Sequence, residues 1–166
     1  MIIYLIGYMG SGKTTLGKEL ANMLGHTFID LDDRIEQEHR CSIPKIFEQY
    51  GEVKFREWEA EELSRLSSLE NLVVATGGGT PCHFRNMEIM CSTGITIYLR
   101  LSVEEIATRL ARSQGKRPLV NGLTGIELKE FIMRQLTARE KYYLHALHVI
   151  ESDRIGAKEI YSMLKS

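Results

Sequence analysis

The run Gly7-Tyr8-Met9-Gly10-Ser11-Gly12-Lys13-Thr14-Thr15 fits G-x-x-x-x-G-K-[ST] without a gap. A backbone wrapped around a phosphate turns successive N–H groups inward, and Gly7, Gly10 and Gly12 keep it clear of side chains that would block the approach. Lys13 offers a point charge to β- and γ-phosphates, and the Thr14 hydroxyl suits Mg²⁺. Gly10, Ser11, Gly12 and Thr15 complete the cradle at the start of a helix, whose N-terminal dipole faces the anion. The motif by itself says that a nucleoside triphosphate binds and nothing about the acceptor.

Other chemistry-bearing residues lie where apolar runs end. Asp30 and Asp32 are two apart, so in a chain that stays extended their carboxylates point to one side, at the strand end where ligands of open α/β sheets sit. One of them can serve Mg²⁺ through water beside Thr14, and the other can accept a proton from an attacking hydroxyl. Helix capping is the competing use, and it could account for one of the two. Asp33, with Glu36 three residues on, reads as the opening of a helix.

Arg56, Glu59, Leu63 and Leu66 share one helix face by their spacing, which puts an arginine and a glutamate on the line of an apolar stripe. Either Glu59 orients Arg56 toward a ligand anion or the two form an ordinary ion pair. Gly77-Gly78-Gly79 follows an apolar run and offers no packing, which suits a backbone that must approach something closely. No aspartate ends that strand, so the metal role falls to Asp30. The irregular stretch from Ser113 to Thr124 contains Arg117 and reads either as a lid closing over phosphates or as an inert surface loop. Arg139 continues the inward line of Leu128, Phe131, Ile132 and Leu136, with Tyr143 one turn further, while Arg134 falls off that face into solvent.

The elements that must position these residues alternate. Apolar runs at 2–6, 26–32, 72–75, 95–99 and 148–150 read as strands. Helical patterns follow the first with Leu16, Leu20, Met23 and Leu24 inward, span 43–66 with a break near Gly51, and carry Val103, Ile106, Ala107 and Leu110 inward after the fourth strand. A further helix holds Arg139, and an amphipathic one covers 157–164.

With 166 residues, 43% of them hydrophobic, the chain suits one domain with one sizeable core. A net charge of −1 gives no overall field for nucleic acid or an anionic membrane. No apolar run reaches the length of a membrane span, and the apolar N-terminal stretch leads straight into the glycine-rich loop, as a core strand does and a signal peptide does not. Cys41, Cys82 and Cys91 lack C-x-x-C spacing and suit reduced cytosolic thiols, and the five histidines form no metal-ligand pattern.

Together these residues resemble one family, shikimate kinase. The matching segments are G-Y-M-G-S-G-K-T-T, D-L-D-D, S-I-P-K-I-F-E-Q-Y-G-E-V-K-F-R-E-W-E, T-G-G-G, K-R-P-L and T-A-R-E-K-Y-Y, in family order from residue 7 to 143. The resemblance implies a three-layer α/β/α P-loop kinase with a five-stranded parallel sheet in order 2-3-1-4-5 and a mobile lid. It implies a single domain over 1–166, with substrate-binding helices at about 31–66 and a lid at about 112–124. The implied reaction is ATP-dependent phosphorylation of the 3-hydroxyl of shikimate, on the route to chorismate and the aromatic amino acids. Carried over, Asp32 is the candidate base, and Arg56, Gly77, Gly78, Gly79 and Arg139 hold the substrate. Thr14 and Asp30 belong to Mg²⁺, while Lys13 and Arg117 meet the transferring phosphate. Arg112 resembles the arginine that stacks on adenine, and Arg154 joins the ATP side. The chain from Arg112 to Arg117 is shorter than in many members, which makes Arg109 the alternative. A cytoplasmic monomer with no nucleic-acid or membrane partner is expected. Competing readings are a P-loop kinase of another hydroxylated acceptor, such as gluconate, and a silent nucleotide-binding regulator.

Overall fold

The computed structural model describes residues 1–113, 120, 122–151 and 156–166. Strand β1, Ile2–Ile6, buries all five of its side chains, as an apolar run without polar alternation does when both strand faces are covered. It lies at the centre of a parallel sheet with β2 (Thr27–Asp30), β3 (Leu72–Ala75), β4 (Ile95–Arg100) and β5 (His148–Glu151), in the order β2-β3-β1-β4-β5. Leu5 stands level with Ala75 on one side and Ile97 on the other, so the C-terminal ends of the central strands come out together.

Side-chain alternation along β1 feeds two apolar layers. Ile3 and Leu5 pack with Val73, Ile97 and Leu99 under α1 (Lys13–Leu24) and α7 (Ala157–Lys165). Tyr4 and Ile6 join Val74 and Tyr98 in the other layer, covered by α2 (Leu31–His39), α3 (Ile43–Leu66), α4 (Asn86–Thr93), α5 (Val103–Arg112) and α6 (Gly125–Tyr143). Fully burying each such Ile or Leu contributes about 1.5–3 kcal/mol. The three-layer α/β/α arrangement and its strand order are those the family resemblance implies.

Local details differ from the expectation at three places, while the break in α3 falls where it was expected. The second strand ends at Asp30 and α2 begins at Leu31, so Asp30 and Asp32 are not neighbours on an extended chain; Asp30 caps the helix and Asp32 lies in its first turn. Helix α1 turns Gly17, Leu20 and Ala21 inward and leaves Met23 exposed, because the small residues allow close approach to the sheet. Helix α4 carried no strong periodic signal: only Met87 and Met90 among its apolar side chains are buried. The break in α3 is at Gly51, whose φ of 82° is the left-handed region that glycine tolerates. Most of the expected lid, residues 114–119 and 121 with Arg117 among them, lies outside the described residues, and so does Arg154.

Gly94 joins α4 to β4 hard against the central strand. A methyl group there would sit 2.5 Å from the Ile2 carbonyl oxygen, a backbone atom that cannot yield without moving β1. Gly94→Ala is therefore expected to cost about 1–3 kcal/mol, lowering the melting temperature by roughly 2–4 °C per kcal/mol. A thermal unfolding scan with an unchanged midpoint would show that the strand end is not packed this tightly.

Candidate active site

Gly12, at φ 90°, caps α1 and carries the chain from β1 into the helix. Lys13 folds back over its own loop and donates to the carbonyl oxygens of Gly7 at 2.7 Å and Tyr8 at 3.0 Å, with the Ser11 hydroxyl at 3.4 Å. Its ammonium thus stands inside the ring of backbone that precedes the helix. The Thr14 hydroxyl donates to Asp30 Oδ2 at 2.9 Å. Asp30 Oδ1 meanwhile accepts from the Asp32 and Asp33 amides, so one carboxylate both caps α2 and ties that helix to the glycine-rich loop. Arg109 Nη1 donates to the Gly10 carbonyl at 3.3 Å, with Nε held by Glu105 at 3.1 Å. Arg112 is exposed at the end of α5, so of the two candidate arginines only Arg109 reaches the loop.

Beyond β3 the chain is fastened to β1 by Thr76, whose amide and hydroxyl both donate to the Leu5 carbonyl at 3.1 and 3.0 Å. That pairing lays Gly77, Gly78 and Gly79 alongside the loop. A methyl group placed on Gly77 would stand 3.1 Å from Asp32 Oδ1, 3.1 Å from Glu59 Oε2 and 3.0 Å from the Thr80 hydroxyl. On Gly78 it would stand 3.1 Å from Arg139 Nη1, 3.6 Å from the Met9 amide nitrogen and 3.7 Å from the Gly7 carbonyl. On Gly79 it would collide with the Arg56 guanidinium, 2.8 Å from its central carbon. The three glycines are thus a backbone seam along which Asp32, Arg56, Arg139 and the phosphate loop meet.

Both arginines are oriented. Arg56 Nη1 donates to Glu59 Oε1 at 2.9 Å, Thr80 donates to Glu59 Oε2 at 2.6 Å, and Glu59 itself has no exposure. Arg56 Nε is buried and has no hydrogen-bond partner among the described residues. The Arg139 guanidinium lies 5.7 Å over the Tyr8 ring, whose hydroxyl donates to Gln135 at 2.6 Å. Three residues that the sequence reading did not place around the site are Thr80, Gln135 and Asn86. Asn86 is fully buried and donates to the Thr80 carbonyl at 2.9 Å. An Asn opening a weakly periodic helix gave no signal to find it by.

Burial, followed by the Glu59 and Asp30 carboxylates, pushes the Asp32 carboxyl up from its ordinary 3.8 to about 6, against the pull of Lys13 and Arg56. At neutral pH it is ionised yet basic enough to take a proton. Burial and then the nearby Arg56 charge push His83 down, and burial pushes the Cys82 thiol up. Among the described residues no group of three or more His, Cys, Asp and Glu side chains forms a metal cluster, and no helix is long and apolar enough to cross a membrane.

A family model for shikimate kinase matches residues 9–165 of this chain. The chain belongs to the shikimate kinase family. A shikimate kinase of Parabacteroides distasonis is 43% identical over 153 residues, spanning 92% of this chain and 88% of the relative. Among solved structures, shikimate kinase from Bacteroides thetaiotaomicron superposes with a TM-score of 0.92 at 37% identity, covering 99% of this chain and 96% of that one. Shikimate kinase from Acinetobacter baumannii, in complex with shikimate, gives 0.86 at 38% identity over 99% of this chain and 90% of that one. The arginines, the carboxylate and the glycine seam described above are therefore features of a shikimate kinase family member, and the family's dependence on ATP accounts for the glycine-rich loop.

The raised carboxyl has a measurable cost. Folded Asp32 keeps its proton up to about pH 6 while an unfolded aspartate loses it near 4. The folded state thus binds the extra proton between those values, and its stability falls as pH rises across the window, by on the order of 3 kcal/mol in all. Asp32→Asn cannot ionise, so it should melt several degrees above the wild type at pH 8 and no higher at pH 4. Equal gains at both pH values would rule out this electrostatic origin.

Proposed function

We infer that the chain transfers the γ-phosphoryl group of ATP to the 3-hydroxyl of shikimate, giving shikimate 3-phosphate and ADP. The observation that carries this reading is the seam: one basic carboxylate and two inward guanidinium groups lie against the same three glycines, next to a phosphate loop. Shikimate is a small ring with one carboxylate and several hydroxyls. Arg56 and Arg139 come from different helices, and planar forks of this kind clamp a carboxylate bidentately. Arg56 Nε, buried with no partner among the described residues, is one donor available to that anion. With the carboxylate held there, a ring hydroxyl faces Asp32.

In the transfer, Asp32 accepts the hydroxyl proton as the new O–P bond forms and the bond from the γ-phosphorus to the β-phosphate oxygen breaks. Lys13 leaves the Gly7 and Tyr8 carbonyls for the phosphates and meets their charge, together with the amides of Gly10, Ser11, Gly12, Thr14 and Thr15. By the family resemblance Arg117 would meet the same charge and Arg112 and Arg154 the nucleotide, Arg117 and Arg154 lying outside the described residues; Arg109, already on the loop, is placed to serve the nucleotide. Thr14 and Asp30 pair one hydroxyl with one carboxylate oxygen, a donor set that fits Mg²⁺ when phosphates and water supply the other ligands. When bound there, the ion neutralises phosphate charge. The reading is completed by a single-domain monomer with α2 and α3 as its substrate helices. ATP as substrate and the free thiols Cys41, Cys82 and Cys91 suit the cytoplasm.

ADP release measured with shikimate, with gluconate and with no acceptor tests the reading; only shikimate should drive it. Release at the same rate without acceptor, or driven by gluconate, would overturn it. Arg139→Lys replaces the fork by a point charge and should raise the KM for shikimate at least roughly tenfold. Asp32→Asn should depress kcat by about 10² or more. In the wild type, kcat/KM should fall about tenfold per pH unit below pH 6 as Asp32 is protonated; a flat profile down to pH 5 would remove Asp32 as the base.

A further inference from the structure

Tyr143 closes α6 one turn beyond Arg139, on the same face. Its side chain has no exposure, its ring packs against Tyr98 with centroids 5.1 Å apart, and its hydroxyl donates to the Gly78 carbonyl. The phenol also feels Arg139: burial pushes its pKa up while the guanidinium pulls it down. Since Arg139 Nη1 would touch a methyl on Gly78 at 3.1 Å, one hydroxyl stands at the junction of arginine and glycine seam.

A carbonyl held this way fixes the plane of the peptide that follows. In a trans peptide the N–H points opposite to the C=O, so the Gly79 N–H is turned away from Tyr143, on a residue whose α-carbon abuts Arg56. Phenylalanine would fill the same apolar volume, and burying a hydroxyl has a cost unless it is used. Tyr98 offers the contrast inside the same ring pair: its hydroxyl donates at 3.1 Å to Glu140, which is already paired with Arg100 at 2.9 Å, and it does not reach the seam. We propose that Tyr143 is a positioning residue for the acceptor's carboxylate, acting through the Gly78–Gly79 peptide plane and the Arg139 guanidinium without touching the acceptor.

The role rests on shikimate being the acceptor. A wild type that turns over no shikimate would sink that assignment; an active wild type beside an unaffected Tyr143→Phe would sink only the role of Tyr143. Tyr143→Phe and Tyr98→Phe each remove one buried hydroxyl and keep the ring, so both are measured for KM, kcat and thermal unfolding. Tyr143→Phe is expected to raise the KM for shikimate about tenfold, the loss of one hydrogen bond to the Gly78 carbonyl, with the KM for ATP changed less than about twofold. Tyr98→Phe should lose stability and keep the shikimate KM. An unchanged KM in Tyr143→Phe, or equal rises in the two variants, overturns the proposal. Independently of any variant, hydrogen exchange at the Gly79 amide of the wild type should slow when shikimate is added. An amide whose exchange shikimate leaves unaltered overturns it as well.

Discussion

A carboxylate with no contact with water cannot stand alone, and Glu59 is such a group. Arg56 and Thr80 each give it one short hydrogen bond, at 2.9 and 2.6 Å. Removing one partner of a buried pair costs about 3–5 kcal/mol because the other charge is left uncompensated. The pair therefore fixes the Arg56 rotamer and, through Thr80, seats the turn after the three glycines, while Glu59 alone makes the second-largest contribution to the raised pKa of Asp32. Two separate stretches of chain, 56–59 and 77–80, are tied together by that one buried anion, and Asp32 lies beside it.

The sheet supplies the rest of the alignment. Because β1 is central and parallel to its neighbours, the loop after β1 and the glycines after β3 emerge side by side at the same edge. Thr76 extends the pairing one residue past the strand by bonding Leu5 twice. Asp30 does the equivalent on the other side: it ends β2, caps α2 and takes the Thr14 hydroxyl. Asp30, Asp32 and Gly77 thus lie within two residues of a rigid strand end, which limits how far they can drift.

Such a site is held at the expense of stability. Burial first, and then the Glu59 and Asp30 carboxylates, raise the pKa of Asp32, with Lys13 and Arg56 offsetting only part of the effect. A buried polar or charged cluster of this kind is maintained by the packing around it. Here that packing is the layer containing Leu31, Ile35, Phe55 and Leu63, on the two helices that carry Asp32 and Arg56. The charge that destabilises the fold is also what leaves Asp32 basic at neutral pH.

Much was legible in the sequence because it depends on near neighbours. The phosphate loop, the five strands, the break at Gly51 and the shared face of Arg56, Glu59, Leu63 and Leu66 follow from local pattern and helical spacing. The inward aim of Arg139 did too. Where the pattern was weak or a local competitor won, the reading missed: α4 shows little periodicity, and helix capping by Asp30 overrode the extended geometry expected for Asp30 and Asp32. Sequence spacing fixes what a residue's own helix or strand does with it. That Tyr143 reaches the Gly78 carbonyl, that Arg109 and not Arg112 meets the loop, and that Asp32 lies beside Glu59 were decided by tertiary packing alone. Those contacts join residues tens of positions apart, and only the closing of the sheet sets their separations.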